Sequence, residues 1–439
     1  MTQVASLDPP LQHLLHVWMP RQRWFPAKGR GVGLRRLGGR RLEDASGEVG
    51  IEVHIIGLDS GDRVDVVQVP LTYRASPLPG AEQALVGETT HSELGRRWVY
   101  DGTHDPAFVA ALLDALQLAP GADRPDVSSG SKVLSGEQSN TSIIVGRGGD
   151  RPSIVKLFRT LHAGANPDVE VTAALHGVGC DRVARPVGWL AGSWTAPDGS
   201  SADGHLAVAA EYLAGSQDAW REAVAAVEAG KDFSTSAREL GETTAQVHLA
   251  LAHAFGTVPV TETERQQIVT GLRSRVEWAV SSAEALGPYT EALSRHAEAL
   301  DRLAALPDLQ RVHGDYHLGQ VLHSPERGWI VLDFEGEPLR PLSERTGPDL
   351  ALRDVAGMLR SFDYAAAYAG SAGAQGWAEA ARTAFCDGYA AAGAPDPRER
   401  RDLLDALELD KALYEVVYET RNRPDWLHVP LSAVATLLG

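Results

Sequence analysis

An aspartate follows a His-Gly pair at Asp315, a carboxamide stands five residues on at Gln320, and a second aspartate, Asp333, closes the apolar run Ile330-Val331-Leu332 thirteen residues later. Phosphoryl transfer asks little covalent chemistry of a protein. It needs a carboxylate that orients the acceptor hydroxyl and takes its proton, and oxygen ligands that hold magnesium between the phosphates. Asp315 suits the first task. Gln320, through its amide oxygen, and Asp333 suit the second, because magnesium prefers hard oxygen donors and keeps several of its waters. Glu335, two residues further along, is a candidate ligand for the metal or its water and equally a candidate partner for a basic side chain. With Asp315 in place as base, His313 is expected to prop the loop by hydrogen bonding. His317 stands nearer the phosphates or the acceptor. Asp354, in Leu352-Arg353-Asp354-Val355-Ala356, is expected to tie a helix to this loop through backbone N–H groups.

These groups need a scaffold that delivers a nucleotide. Residues 1 to about 90 hold the amphipathic segment Leu11 to Trp18, the cluster Arg21-Gln22-Arg23-Trp24-Phe25, and alternating runs such as Ile51 to Ile56 and Val64 to Val69, which predict an antiparallel sheet. The aromatic cluster reads as packing on that sheet, with a ligand platform as the alternative. After a linker at Pro120 to Ser131, two strands flank Ser135-Gly136-Glu137-Gln138-Ser139-Asn140, a small polar tip that offers N–H groups and hydroxyls to an anion. The strand Ser153 to Phe158 carries one lysine, Lys156, inside an apolar run, and Glu170 follows fourteen residues later on a helix. A half-buried lysine is costly unless an acid or a phosphate pairs with it, or unless it reaches solvent. Two further strands, Val183 to Leu190 and Leu206 to Gly215, end in a Gly-containing connector; in a two-lobed kinase that position is the hinge, where backbone near Glu211, Tyr212 and Leu213 would meet an adenine edge. The remainder is Ala-rich and helical; His248 and His253 read as packing or surface residues, since no acid or histidine completes a metal-type cluster with them.

The chain has 439 residues, 44% hydrophobic and 23% charged, which suits a folded protein of more than one core. With 41 basic and 58 acidic residues its net charge is −17, which disfavours nucleic acid or an anionic membrane as partner. Cys180 and Cys386 lie far apart without metal-type spacing, and two buried thiols in a reducing cytoplasm are expected. No export signal or apolar run long enough to cross a membrane is seen, so a cytoplasmic location is expected.

Together, Ser135 to Val145, Lys156, Glu170, His313 to Gln320, Asp333-Phe334-Glu335-Gly336-Glu337-Pro338 and Leu352 to Ala356 resemble the actinobacterial glucosamine kinase and maltokinase group. That group has the aminoglycoside-phosphotransferase version of the protein-kinase fold with an added N-terminal cap. The likeness covers nearly the whole chain, including the closing Asn422-Arg423-Pro424-Asp425-Trp426. It implies an α+β, two-lobed protein-kinase-like fold: a β-rich cap over 1–90, an N-lobe over 91–215, and a helical C-lobe over 216–439. It further implies ATP and Mg2+ as cofactors. Ser135, Gly136, Gln138, Ser139, Asn140, Thr141 and Ser142 would cover the phosphates, Lys156 would contact them and pair with Glu170, and Glu211, Tyr212 and Leu213 would hold adenine. Asp315 would be the base, with Gln320 and Asp333 on magnesium. No G-x-G-x-x-G loop and no peptide-docking segment between Asp333 and Asp354 is present, so a small molecule is the expected acceptor.

Within the group that acceptor is glucosamine, phosphorylated on its 6-hydroxyl, or maltose, phosphorylated at its anomeric hydroxyl. The closing segment, with Asp410, Tyr414, Glu415, Tyr418, Glu419, Arg423, Asp425 and Trp426, is expected to wall the sugar. Trp426 offers a face for stacking, while the acids offer acceptors for hydroxyls or for an ammonium group. Tyr316 and Asp425 depart from the maltokinase pattern, and on that ground glucosamine is expected, with maltose as the alternative. A catalytically inactive sugar-binding protein is the reading from outside the enzymes, and a solvated helix face is the plain alternative for the acidic cluster. The oligomeric state is left open, with a monomer compatible.

Overall fold

In the computed structural model the described residues are 7–61, 63–134, 140–149, 151–303, 306–337, 345–371 and 373–439. The chain forms two compact units, one of Met1–Ala173 with Ala184–Ala214, the other of Ala174–Val183 with Gly215–Gly439.

The first unit is built on two antiparallel sheets. One contains β1 (Gly33–Leu42), β2 (Gly50–Asp59), β3 (Val64–Arg74), β4 (Leu85–His91) and β5 (Gly95–Asp101) in the order β1-β2-β3-β5-β4. The other contains β6 (Gln117–Leu118), β7 (Ser131–Val133), β8 (Asn140–Val145), β9 (Ser153–Phe158), β10 (Pro186–Thr195) and β11 (Ser201–Glu211) in the order β6-β10-β11-β9-β8-β7. The alternation seen in β2 and β3 does not leave one face to water, because nearly every residue of both is buried. One face carries Ile56, Leu58, Val67 and Val69 beneath Leu11, Leu15 and Trp18 of the Pro9–Trp18 helix, with Trp24 and Phe25 in the same core. The Trp-Phe pair is therefore packing, edge-on to Trp18 at 5.9 Å, and not a ligand platform. The opposite face, through Ile51, Val53 and Ile55, shares a core with Ile143, Val155, Leu157 and Leu206 of the second sheet. Gln68 joins the sheets by donating its amide to the Phe158 and Leu206 carbonyls, each at 2.9 Å. Cap and second sheet thus fold around common cores.

Two buried polar clusters fix this unit. Arg159, 1% exposed, donates to Asp101 at 2.6 Å and to Thr141 at 2.8 Å. Glu52, 3% exposed, accepts from Arg41 at 2.9 Å and faces His54 at 3.2 Å and His91 at 3.3 Å. Burial pushes the Glu52 carboxyl up, but His54, Arg41 and His91 outweigh it, so its pKa falls from 4.5 to about 2. The sign is that of a depressed acid: its contribution is complete above pH 4.5 and is lost as pH falls through about 2. Glu52→Gln should therefore cost about 2–3 kcal/mol near neutrality and progressively less below pH 4, read by thermal unfolding across that range. A pH-independent cost would contradict the pairing.

The second unit is helical. Helices Glu262–Ser282, Thr290–Ala299, Arg401–Asn422 and His428–Leu438 enclose one core lined by Val276, Leu286, Leu409, Leu413, Val416 and Val434. Helices Ser234–Phe255, Leu352–Ala369 and Ala374–Ala391 bring together Phe233, Phe362, Trp377 and Phe385. A small sheet of Gln217–Asp218, Val321–Ser324 and Gly328–Val331 carries the central motif. Among the described residues no helix is long and apolar enough to cross a membrane. Cys386 is buried and Cys180 half-buried, both as free thiols, and burial pushes each up in pKa.

Candidate active site

The segment His313 to Gln320 is too polar and irregular to hold its own shape, and its backbone N–H groups need partners. Asp354, at the start of the Leu352–Ala369 helix, supplies them: its carboxylate accepts from His313 N at 2.7 Å and Gly314 N at 2.9 Å. Asp354 is fully buried. Burial alone would raise its pKa, but His248, His313 and the Gly314 N–H outweigh that and hold it below the usual carboxylate value. His248 donates to it through Nε2 at 3.1 Å while its Nδ1 meets the Tyr389 hydroxyl at 2.9 Å. The expected tie between helix and loop is present. His248, read as a packing or surface histidine, is the support behind the tie.

Three further contacts shape the loop. Gly314 has φ +85°, where a side chain would be strained, and it turns the chain just before Asp315. Gly357 lets the helix approach, since a Cβ there would lie 2.5 Å from the Tyr316 carbonyl oxygen. His313 donates through Nε2 to Leu332 O at 2.8 Å and accepts at Nδ1 from Asp315 N at 3.3 Å, so it props the loop as expected. Tyr316 is buried beneath the loop, its hydroxyl 2.8 Å from Thr244. It is a core residue, so its departure from the maltokinase pattern does not bear on the acceptor.

The loop then presents its chemistry. Asp315 is half-buried, with Oδ1 3.2 Å from Lys411 Nζ, and among the described residues nothing hydrogen-bonds to Oδ2. Gln320 ends a short 3-10 turn, and its carbonyl accepts from Leu332 N at 2.9 Å, which fixes it relative to the Asp333 strand end. Asp333 has φ +63°, the one non-glycine residue with positive φ among the described residues. Such strain persists where the surroundings impose it and is characteristic of functional positions. Its carboxylate and that of Glu335 lie within 4.8 Å of each other. These two carboxylates offer hard oxygen donors of the kind magnesium takes. His317 accepts at Nδ1 from Gly319 N at 3.0 Å, which leaves the proton of the neutral ring on Nε2 as a donor. Burial, opposed by Asp315, pushes this imidazole below its usual pKa.

In the first unit, Lys156 lies between Ser142 on β8 and Val208 on β11, its ammonium 3.6 Å from Asp168. Asp168 and Glu170 both lie in the first turn of the Pro167–Gly177 helix, and the charge of Glu170 also acts on His205. Asn140, Thr141 and Ser142 are buried in β8, with Thr141 committed to Arg159. Ser135, Gly136, Gln138 and Ser139 lie outside the described residues. At the connector, Glu211 N donates to Arg185 O and Tyr212 N to Pro152 O, at 2.9 and 2.8 Å, leaving Leu213 as the position whose N–H has no such partner among the described residues.

The closing segment differs from expectation in its charges. Glu419 is buried and accepts two bonds from Arg423, at 2.6 and 2.9 Å. Glu415 accepts from Arg360 at 2.8 Å, and Asp410 accepts from Arg353 at 2.8 Å. Trp426 stacks on Tyr368 at 5.3 Å, with the Arg423 guanidinium 5.9 Å from its ring. Tyr418 is exposed and stacked on Tyr414, whose pKa burial pushes up to about 12. Three of the acids offered for an ammonium, Asp410, Glu415 and Glu419, are thus already paired. Lys411 and Glu337, 2.8 Å apart, were not singled out from sequence; a lone lysine amid the apolar residues of its helix was the available signal.

A β-rich unit with a paired lysine and a helical unit with this loop define an α+β phosphotransferase of the protein-kinase-like class. The chain belongs to the phosphotransferase enzyme family, whose description matches residues 131–403, and residues 18–105 match the maltokinase N-terminal cap domain. It is 29% identical to a glucosamine kinase of Streptacidiphilus jiangxiensis, over 87% of this chain and 95% of that protein. It is 29% identical to one of Mycolicibacterium smegmatis, over 75% of this chain and 87% of that protein. Among solved structures, a glucosamine kinase in complex with glucosamine, ADP and inorganic phosphate superposes with a TM-score of 0.67 at 26% identity, covering 99% of this chain and all of that one.

Proposed function

We propose that the protein is a cytoplasmic, ATP-dependent sugar kinase acting on a small-molecule acceptor, with glucosamine phosphorylated on its 6-hydroxyl. The observation that carries the kinase reading is the loop itself: Asp315 held on one oxygen and open on the other, on a backbone clamped by Asp354. In the reaction Asp315 Oδ2 takes the proton of the sugar hydroxyl. The sugar oxygen bonds to the γ-phosphorus as the bond from phosphorus to the β,γ-bridging oxygen breaks, and ADP leaves. Asp333, Gln320 and Glu335 would hold Mg2+, which when bound neutralises phosphate charge. Lys156 would meet the nucleotide phosphates and the Leu213 backbone its adenine. His317 Nε2–H is available to a phosphate or sugar oxygen. The choice of glucosamine is supported by near-full-length likeness to kinases of that name.

A second reading, maltose phosphorylated at its anomeric hydroxyl, is favoured by a specific observation. Asp410, Glu415 and Glu419 each carry a resident arginine, and Asp315 and Glu337 share Lys411. An incoming ammonium would meet carboxylates whose charge is already balanced and gain less from them, whereas a neutral sugar can hydrogen-bond to carboxylates that stay paired. The match of residues 18–105 to the maltokinase cap agrees. A panel of glucosamine, glucose, N-acetylglucosamine and maltose with ATP and Mg2+ decides between them. Turnover on glucosamine alone supports the first reading and turnover on maltose alone the second. No sugar-stimulated ATP consumption with any of the four would leave a sugar-binding protein without kinase activity.

A further inference from the structure

Lys411 sits in the middle of the Arg401–Asn422 helix, with Leu407, Leu409, Ala412 and Leu413 buried around it. A lysine so placed carries a desolvation cost that must be offset. Its ammonium is bound by Asp315 Oδ1 at 3.2 Å and Glu337 Oε1 at 2.8 Å, and lies 5.1 Å from the Tyr414 ring centre. Glu337 is itself 6% exposed. Burial alone would lower the lysine's pKa, but the two carboxylates outweigh it and keep the ammonium charged. Asp315 and Glu337 come from two different segments, one the loop with the base, the other following Asp333 and Glu335. A single cation from a third element joins them.

We infer that Lys411 is a positioning residue for phosphoryl transfer: by binding Asp315 Oδ1 and Glu337 together it fixes the base carboxylate with Oδ2 directed to the acceptor hydroxyl. The inference rests on the sugar-kinase reading. It holds for either sugar, because it concerns the reacting hydroxyl and not the rest of the acceptor. A carboxylate without this tie rotates about its side-chain torsions, and the loss falls on the chemical step, since misplacement of a reacting group by about 1 Å can cost roughly 100-fold in rate. Nucleotide affinity is not expected to depend on Lys411.

The test is steady-state kinetics of Lys411→Met and Lys411→Ala with whichever panel sugar the parent uses. Lys411→Met should lower kcat by roughly 10- to 100-fold while the KM for ATP stays within about twofold. Lys411→Ala leaves space for a small amine, and ethylammonium should restore at least about tenfold of the lost rate in a saturable way, with no such effect on the parent. Rescue separates positioning from a merely structural role, because a variant that has lost its fold is not restored by an amine. A kcat for Lys411→Met equal to that of an active parent overturns the inference alone. Loss of kcat in both variants with no amine rescue and a raised KM for ATP also overturns it. A parent inactive on every sugar sinks the sugar-kinase reading, and the inference with it.

Discussion

Asp315→Asn should lower kcat by roughly 10²–10⁴-fold, the usual weight of a positioned general base, while ATP binding by the variant stays within about twofold of the parent. The substitution keeps the shape of the side chain, yet the amide cannot take the acceptor proton. It also leaves Lys411 facing a neutral oxygen in place of a carboxylate, with Glu337 as its remaining acid. Isothermal titration with a non-hydrolysable ATP analogue beside steady-state turnover separates the two effects. Turnover near that of the parent would show that Asp315 is not the base and would shift attention to His317, whose Nε2 faces away from its backbone partner.

Asp354→Ala should be the most damaging change outside the reacting groups. The carboxylate accepts from two loop N–H groups and from His248; His313 and His248 are buried and Gly314 is half-buried. Removing it strands two backbone donors and the imidazole, at a cost of about 3–5 kcal/mol for a broken buried charge network. Because the chain has two units, the change belongs to the unfolding of the helical one and is best read calorimetrically, not as a single two-state midpoint. Activity should fall with it at temperatures where the variant is still folded, since the clamp positions the backbone that carries Asp315. An unchanged unfolding profile would mean that the loop keeps its shape without the helix.

The loop was legible in the sequence because its chemistry is local. Asp315, Gln320 and Asp333 keep their spacing whatever surrounds them, and the Asp354 tie was legible because a lone buried acid at a helix start must find donors. Lys156 was legible as a lysine in need of an anion, because a charge in an apolar strand must be offset. The approach of Asp168 to within 3.6 Å was not, since it depends on how the helix is set against the strand. The pair Glu419 and Arg423 stands at i,i+4 on a helix, a spacing that announces an ion pair in the sequence itself.

By itself, then, the sequence determined the class of chemistry, the two kinds of layer and the residues of the loop, since each of these rests on local spacing or on the period of apolar residues. Only the tertiary structure decided which charges meet. Lys411 is 96 residues from Asp315 along the chain, and nothing in either segment names the other. Their meeting, the sharing of one core by cap and second sheet, and the pairing of Asp410 and Glu415 with arginines of another helix follow from packing. A buried charge must find its opposite wherever the fold brings one within reach.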